Sequence, residues 1–190
     1  GFLIDYNQQM FIPDSESADM MLKRLELYKR LYTQIAEVQK VGLNNNRVAT
    51  ERNLLRTIDQ LENYLASSLD QDPLLLVNFS PEISDKEISE WKDKAINIID
   101  SNIRPSVSAY LDQLKTDHLP KGRGDDKCGI MWIDGGEESY LRSLRKYTGH
   151  KDTTVKEVHE IGLSEIERLK KEFFEIGKNV FDGVDTPEDV

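Results

Sequence analysis

Apolar residues recur in this chain at intervals of three and four, and that spacing more than any other feature restricts what it can fold into. From Asp19 onward they fall at Met21, Leu25, Tyr28, Tyr32, Ile35 and Val38. A helix of 3.6 residues per turn brings such positions to one side, so the stripe predicts a first helix from about Glu16 to Val41. The turn "GLNNN" then offers a Gly and three Asn, residues suited to ending one helix and capping the next. A second helix follows from about Arg47 to Ser67, with Leu54, Ile58, Leu61 and Leu65 on its buried face.

The connection "SSLDQDPLLLVNFSPE" has no helical period and is expected to bury Leu74 to Leu76. Ser84 and Glu87 then have the spacing of a capping box, and Ile83 and Ile88 stand where a hydrophobic staple closes over the first turn. A third helix therefore starts at Asp85. Its stripe, Ile88, Trp91, Ala95 and Ile98, meets Pro105 and resumes with Val107, Tyr110, Leu111 and Leu114. Either one helix kinks at the proline or two helices abut there.

The longest break is "LPKGRGDDKCGIMWIDGG", in which "IMWI" reads as a short strand or a buried extended segment. A short helix follows from about Glu137 to Tyr147. Thr154 and Glu157 form a second capping box, opening a last helix with Val158, Gly162, Ile166, Leu169, Phe173 and Ile176 on one face. A small residue such as Gly162 within a stripe lets another helix come close. The fold class is thus all-α, an elongated array or bundle of about five to six helices with at most a short extended segment near 129–134.

With 190 residues the chain is expected to form one helical domain, 1–190, with a polar, frayed tail over 184–190. Hydrophobic residues at 38% and charged residues at 32% suit a folded protein. The formal charge of -10 repels a phosphate backbone, so nucleic acid is not expected as a partner. No apolar run approaches the roughly 18–20 residues that span a bilayer. The opening "GFLIDYNQQMFIP" has neither a basic region nor a small-residue cleavage site, and Gly1 in place of Met suggests a processed or trimmed chain. The single cysteine, Cys128, excludes an internal disulfide and a multi-thiolate metal site.

Candidate chemistry is sparse. In "TVKEVHEIGLSE", His159 and Glu160 are half of a zinc-peptidase signature, but Leu163 occupies the place of the second imidazole. His118 and His150 have no carboxylate at ligand spacing, so no metal ligand and no catalytic residue is assigned. Cys128 reads as an incidental thiol. "GDDKCG" lacks the alternating oxygen ligands of a calcium loop, "GRG" and "DGG" are too short to cradle phosphate, and "KRLELYKR" is a solvated helical face.

One segment carries more. "GIMWIDGGEESYLRSLRKYTGHKDTTVKEVHEIGLSEIERL" resembles the signature region of the bacterial domain-of-unknown-function 885 family. The matching residues are Gly129, Gly135, Gly136, Tyr140, Leu144, Arg145, Tyr147, Thr148, Thr154, Glu157, His159, Gly162, Leu163 and Glu165. Asp134 stands where the family has Pro, and the loop from Tyr147 to Thr154 is longer. Looser likeness extends over "GLNNNRVATERNLLRTIDQLENYL" and "IIDSNIRPSVSAYLDQLKTDHLP".

The resemblance implies a mostly helical relative of HExxH-type zinc metallopeptidases, distantly like the carboxypeptidase Taq group. It places the zinc motif, H-E-x-x-P-G-H, downstream of anything in this chain. The chain is then expected to be an N-terminal fragment, or a truncated paralogue, that shapes the substrate cleft without supplying zinc ligands. Zinc is implied only for the complete protein, where metal-bound water would attack a peptide carbonyl with a Glu as base. Tyr140, Arg145, Tyr147 and His159 are the expected cleft residues, the alternative being that they only brace the loop before the last helix. The expected partners are the missing C-terminal portion of the same protein, a second copy joined through exposed apolar surface, and a peptide substrate. The bacterial cytoplasm and the cell envelope, as an exported lipoprotein, both stay open. The competing class is a non-catalytic helical interaction module.

Overall fold

Helix α1 runs over Ser15–Glu26 because Asp14 caps it, its carboxylate accepting from the Ser17 amide at 2.8 Å. Helix α2, Tyr28–Asn44, follows after one residue. The single first helix expected from the stripe is therefore two, because at Leu27 the amide bonds back to Arg24 at 3.1 Å, a tighter three-residue turn. The structure is a computed structural model that describes residues 10–181 and 186. The chain divides into two units, Gly1–Gly129 and Ile130–Val190.

In the first unit, α3 spans Glu51–Ala66 and α4 spans Asp85–Ile98. The start of α4 is the expected capping box: the Glu87 amide donates to Ser84 Oγ at 3.3 Å, and the Ser84 amide donates to Glu87 Oε2 at 3.0 Å. Beyond Ile98 the backbone does not break. It widens into a π turn, Ile99–Ile103, and continues as α5, Arg104–Gln113. A second π turn, Leu114–His118, precedes Pro120 as the first precedes Pro105. A proline has no N–H and its ring crowds the carbonyl four residues back. The wider turn gives that carbonyl room, so the kink-or-break alternative is settled as one continuous helical run.

The core follows from these helices. Leu25, Ala95, Ile99, Ile103 and Val107 pack with Met21, Trp91, Leu74 and Leu75, while a second cluster joins Leu54 and Ile58 of α3 to Tyr110, Leu111 and Leu114. Trp91 completes the contact of α4 with α1 by donating its indole N–H to the Ala18 carbonyl at 2.9 Å. Of the connection expected to bury Leu74 to Leu76, Leu74 and Leu75 are buried, but Leu76 is exposed. The extended backbone lies elsewhere than at "IMWI". Strand β1, Phe11–Ile12, pairs in parallel with β2, Asn78–Phe79. "IMW" is a 3-10 turn closed by the Ile133 amide on the Ile130 carbonyl, and Ile130, Met131 and Trp132 are all exposed.

The second unit holds helix α6, Gly136–Thr148, and helix α7, Val155–Val180. The tail 184–190, Thr186 apart, lies outside the described residues. The all-α class expected from the spacing is the class observed.

Candidate functional site

The signature segment is built on two glycines. Gly135 sits at φ 67°, in the left-handed region that favours glycine. Gly136 is excluded from any larger choice, since a Cβ there would fall 1.7 Å from the Ile130 carbonyl oxygen. The turn closes with the Ile133 amide on Ile130 at 3.2 Å and the Gly136 amide on Ile133 at 2.9 Å. Thereafter α6 ends at Gly149, again left-handed at φ 72°, whose amide donates to the Arg145 carbonyl. The second capping box starts α7: Glu157 donates its amide to Thr154 Oγ1 at 3.2 Å and accepts the Thr154 amide at 2.8 Å. That bonding holds the Glu157 carboxyl below its ordinary range.

Gly135, Gly136, Thr154 and Glu157 thus serve turn and cap chemistry. The expected cleft residues do not. Tyr140 and Tyr147, seven residues apart, share one face of α6, where Tyr140 is 43% and Tyr147 is 83% exposed. Arg145 is exposed on a different face of the same helix, and His159 is exposed in the second turn of α7. No hydrogen bond or ion pair joins one of these four side chains to another; Lys146 lies over the Tyr147 ring at 5.6 Å. Apolar bulk and proton-bearing groups are therefore presented to the outside, on an α6 framed by two glycine turns.

The three histidines differ in setting. His118 is buried in the first unit, its Nδ1 facing the Gln113 carbonyl at 3.2 Å, while His150 and His159 are exposed in the second. Among the described residues no group of three or more His, Cys, Asp and Glu is placed to hold a metal ion. Cys128 is exposed. Arg123 ties its loop down by donating Nε to the Val48 carbonyl and Nη1 to the Gly129 carbonyl, both at 2.8 Å.

The densest polar chemistry went unforeseen. Asp72, fully buried, pairs with Arg104 at 3.2 Å, and Arg104 also donates to the Ser67 carbonyl at 2.8 Å. The guanidinium lies 5.4 Å from the Tyr64 ring centre. Burial, with the Asp72 carboxylate beside it, pushes the Tyr64 phenol well above the usual tyrosine range. Asp72 Oδ1 accepts from the Leu74 amide at 3.1 Å, which caps the turn that buries Leu74. The cluster is closed to a substrate and acts as a tie between the connection and the long helical run. "DP" at Asp72–Pro73 was the available signal for the cap, but nothing local pointed to Arg104.

This is the fold of an all-α helical protein in whose signature segment Gly135, Gly136, Thr154 and Glu157 build the turn and the cap, while Tyr140, Arg145, Tyr147 and His159 are exposed. The chain belongs to the family described as "bacterial protein of unknown function (DUF885)", which matches residues 2–190. The chain is also similar in structure to "the putative lipoprotein from Colwellia psychrerythraea", with a TM-score of 0.81 at 19% identity. That likeness covers 98% of this chain and 32% of the other, so the chain spans about a third of that protein's length. No curated protein matches the chain. No helix among the described residues is long and apolar enough to cross a membrane.

Proposed function

We propose that this chain is the N-terminal helical portion of a zinc-metallopeptidase-like protein and shapes its substrate cleft without contributing a zinc ligand. The observation that carries the reading is the division of labour within the signature. Gly135, Gly136, Thr154 and Glu157 are consumed by turns and caps, whereas Tyr140, Arg145, Tyr147 and His159 are exposed and have no comparable local task. Exposed Tyr, Arg and His offer a peptide what it needs: phenol and imidazole hydrogen bonds, an aromatic surface, and a cation for a carboxylate. Peptide hydrolysis itself would belong to polypeptide beyond this chain. The lipoprotein description of the similar structure supports the cell envelope as its location.

Alanine substitutions at Tyr140, Arg145 and His159 in the family-length protein test the reading, assayed with fluorogenic peptides alongside thermal unfolding. A fall in kcat/KM at unchanged Tm is expected. Loss of Tm with unchanged turnover in the folded fraction would sink the cleft assignment.

A second reading, a non-catalytic helical interaction module, is favoured by one observation. The apolar side of α7 is exposed along most of its length. Elemental mass spectrometry and a peptide assay on the family-length protein separate the two, since the module needs neither zinc nor turnover.

A further inference from the structure

Every buried apolar side chain among the described residues lies in the first unit, Leu114 being the last of them in sequence. Among the described residues of the second unit the buried ones are glycines, Gly136 and Gly177. Yet α7 carries a continuous apolar seam. Ile166 is 50% exposed, Leu169 39%, Phe173 59%, Ile176 59% and Val180 63%. Their intervals of three, four, three and four residues make a 3.5-residue repeat, the spacing by which helices pack side by side. One flank of the seam is solvated by Arg168, paired with Glu165 at 2.8 Å and also with Glu172.

Gly162 lies on the same seam, four residues before Ile166, and a Cβ placed there would meet nothing within 4 Å. A glycine inside a helix is less stable there than alanine would be. In open space nothing offsets that cost, whereas a backbone passing close to the helix would require the missing side chain.

We infer that the α7 seam is the docking surface for further polypeptide of the same family domain, packed helix against helix along Ile166 to Val180 with its close approach at Gly162. The occupant is indicated by the similar structure, which shares this fold over 98% of the chain and of which this chain accounts for only 32%. In that relative the same fold exists beside about twice its own length of additional chain. The area argues in the same direction. Five side chains at these exposures present on the order of 500 Å² of apolar surface, upper-range for what a monomer leaves open and short of the roughly 800 Å² per partner of a stable dimer interface. The inference rests on the longer-protein part of the proposed function and needs no peptidase chemistry.

The test compares Phe173→Asp with Lys171→Asp, a control on the opposite side of the helix, in the 190-residue chain and in the family-length protein. Thermal unfolding and light-scattering mass are read for each. The 190-residue chain is expected to be monomeric and indifferent to both substitutions. The family-length protein should lose about 5 °C or more of Tm with Phe173→Asp and little with Lys171→Asp. If the aspartate variant does not fold, Phe173→Ala gives a smaller shift of the same sign, and hydrogen exchange of unsubstituted α7 should slow by tenfold or more in the longer protein.

An unchanged Tm in the family-length protein, or equal exchange of α7 in both proteins, overturns the inference. So does a dimeric 190-residue chain that Phe173→Asp splits, since a second copy would then be the occupant. An equal loss of Tm in both proteins overturns it as well, by showing the seam covered within this chain. A reading frame that closes at Val190 does the same. A family-length protein with the Phe173-specific loss but neither zinc nor turnover keeps the docking surface and removes the peptidase reading.

Discussion

Asp72 and Arg104 meet at 3.2 Å inside the first unit, where the carboxylate is fully buried and the guanidinium side chain is 13% exposed. The pair fastens an irregular connection to the helical run just past its first π turn. Removing one partner from a buried pair leaves the other charge without compensation, which typically costs about 3–5 kcal/mol. Asp72→Ala should therefore lower unfolding stability by about that amount in urea, read by circular dichroism. The double variant Asp72→Ala with Arg104→Met should recover part of the loss, because the stranded charge is gone.

Acid should act through the caps. Hydrogen bonds from Ser84 hold the Glu87 carboxyl below its ordinary 4.5, and those from Thr154 hold Glu157 likewise. The Ser17 amide lowers Asp14 from 3.8. A carboxylate whose folded pKa is depressed contributes its full stability above the unfolded value and loses it as pH falls through the folded value. Stability should accordingly decline as pH drops below about 4.5. Glu87→Gln and Glu157→Gln should flatten that decline in a series of urea titrations.

Ser84→Ala removes the hydroxyl that caps α4 and should cost about 1 kcal/mol. The measurement is the midpoint of urea unfolding, and Ser84→Asn should restore most of the loss.

At high pH the relevant group is Tyr64, whose phenol is raised far above its ordinary 10.0, first by burial and then by Asp72. The neutral phenol is the form the fold accommodates. Its contribution is complete below the unfolded value of 10.0 and is lost as pH rises through the folded one. Ultraviolet titration of tyrosinate should show a late component that unfolds the chain, and Tyr64→Phe should remove that component.

Two glycines should answer alanine oppositely. Gly136→Ala forces a Cβ against the Ile130 carbonyl oxygen at 1.7 Å and should destabilise the turn that starts α6 by about 1–3 kcal/mol. Gly162→Ala meets open space in the 190-residue chain and should stabilise α7 by up to about 1 kcal/mol through helix propensity. Hydrogen exchange resolved to α6 and α7 peptides separates the two effects.

The elements legible in the sequence were those whose determinants lie within a turn or two of each other. The Ser84–Glu87 and Thr154–Glu157 boxes span three residues, so their spelling already contains the geometry. The three-and-four spacing likewise names the helices and the all-α class, because periodicity is local. Pro105 announced a disturbance, but whether the helix stopped or widened depended on whether packed neighbours held the two halves in line. Ile99, Ile103 and Val107 all lie in the core, and that burial favours the π turn over a break.

Other outcomes were settled only at a distance. Asp72 and Arg104 are 32 residues apart, and nothing near either one specifies the other. Leu74 and Leu76 share one apolar run, yet one is buried and the other exposed, because the Asp72 cap directs the turn between them. The cleft candidates came from a family likeness, and only the fold separated the glycines and caps that build the segment from the Tyr, Arg and His side chains it presents. By itself the sequence determined the helical periods, the two capping boxes and the apolar seam of α7, since each is a matter of neighbours along the chain. Burial, ion pairing and the exposure of that seam were decided by tertiary structure, since each depends on which distant surface excludes water.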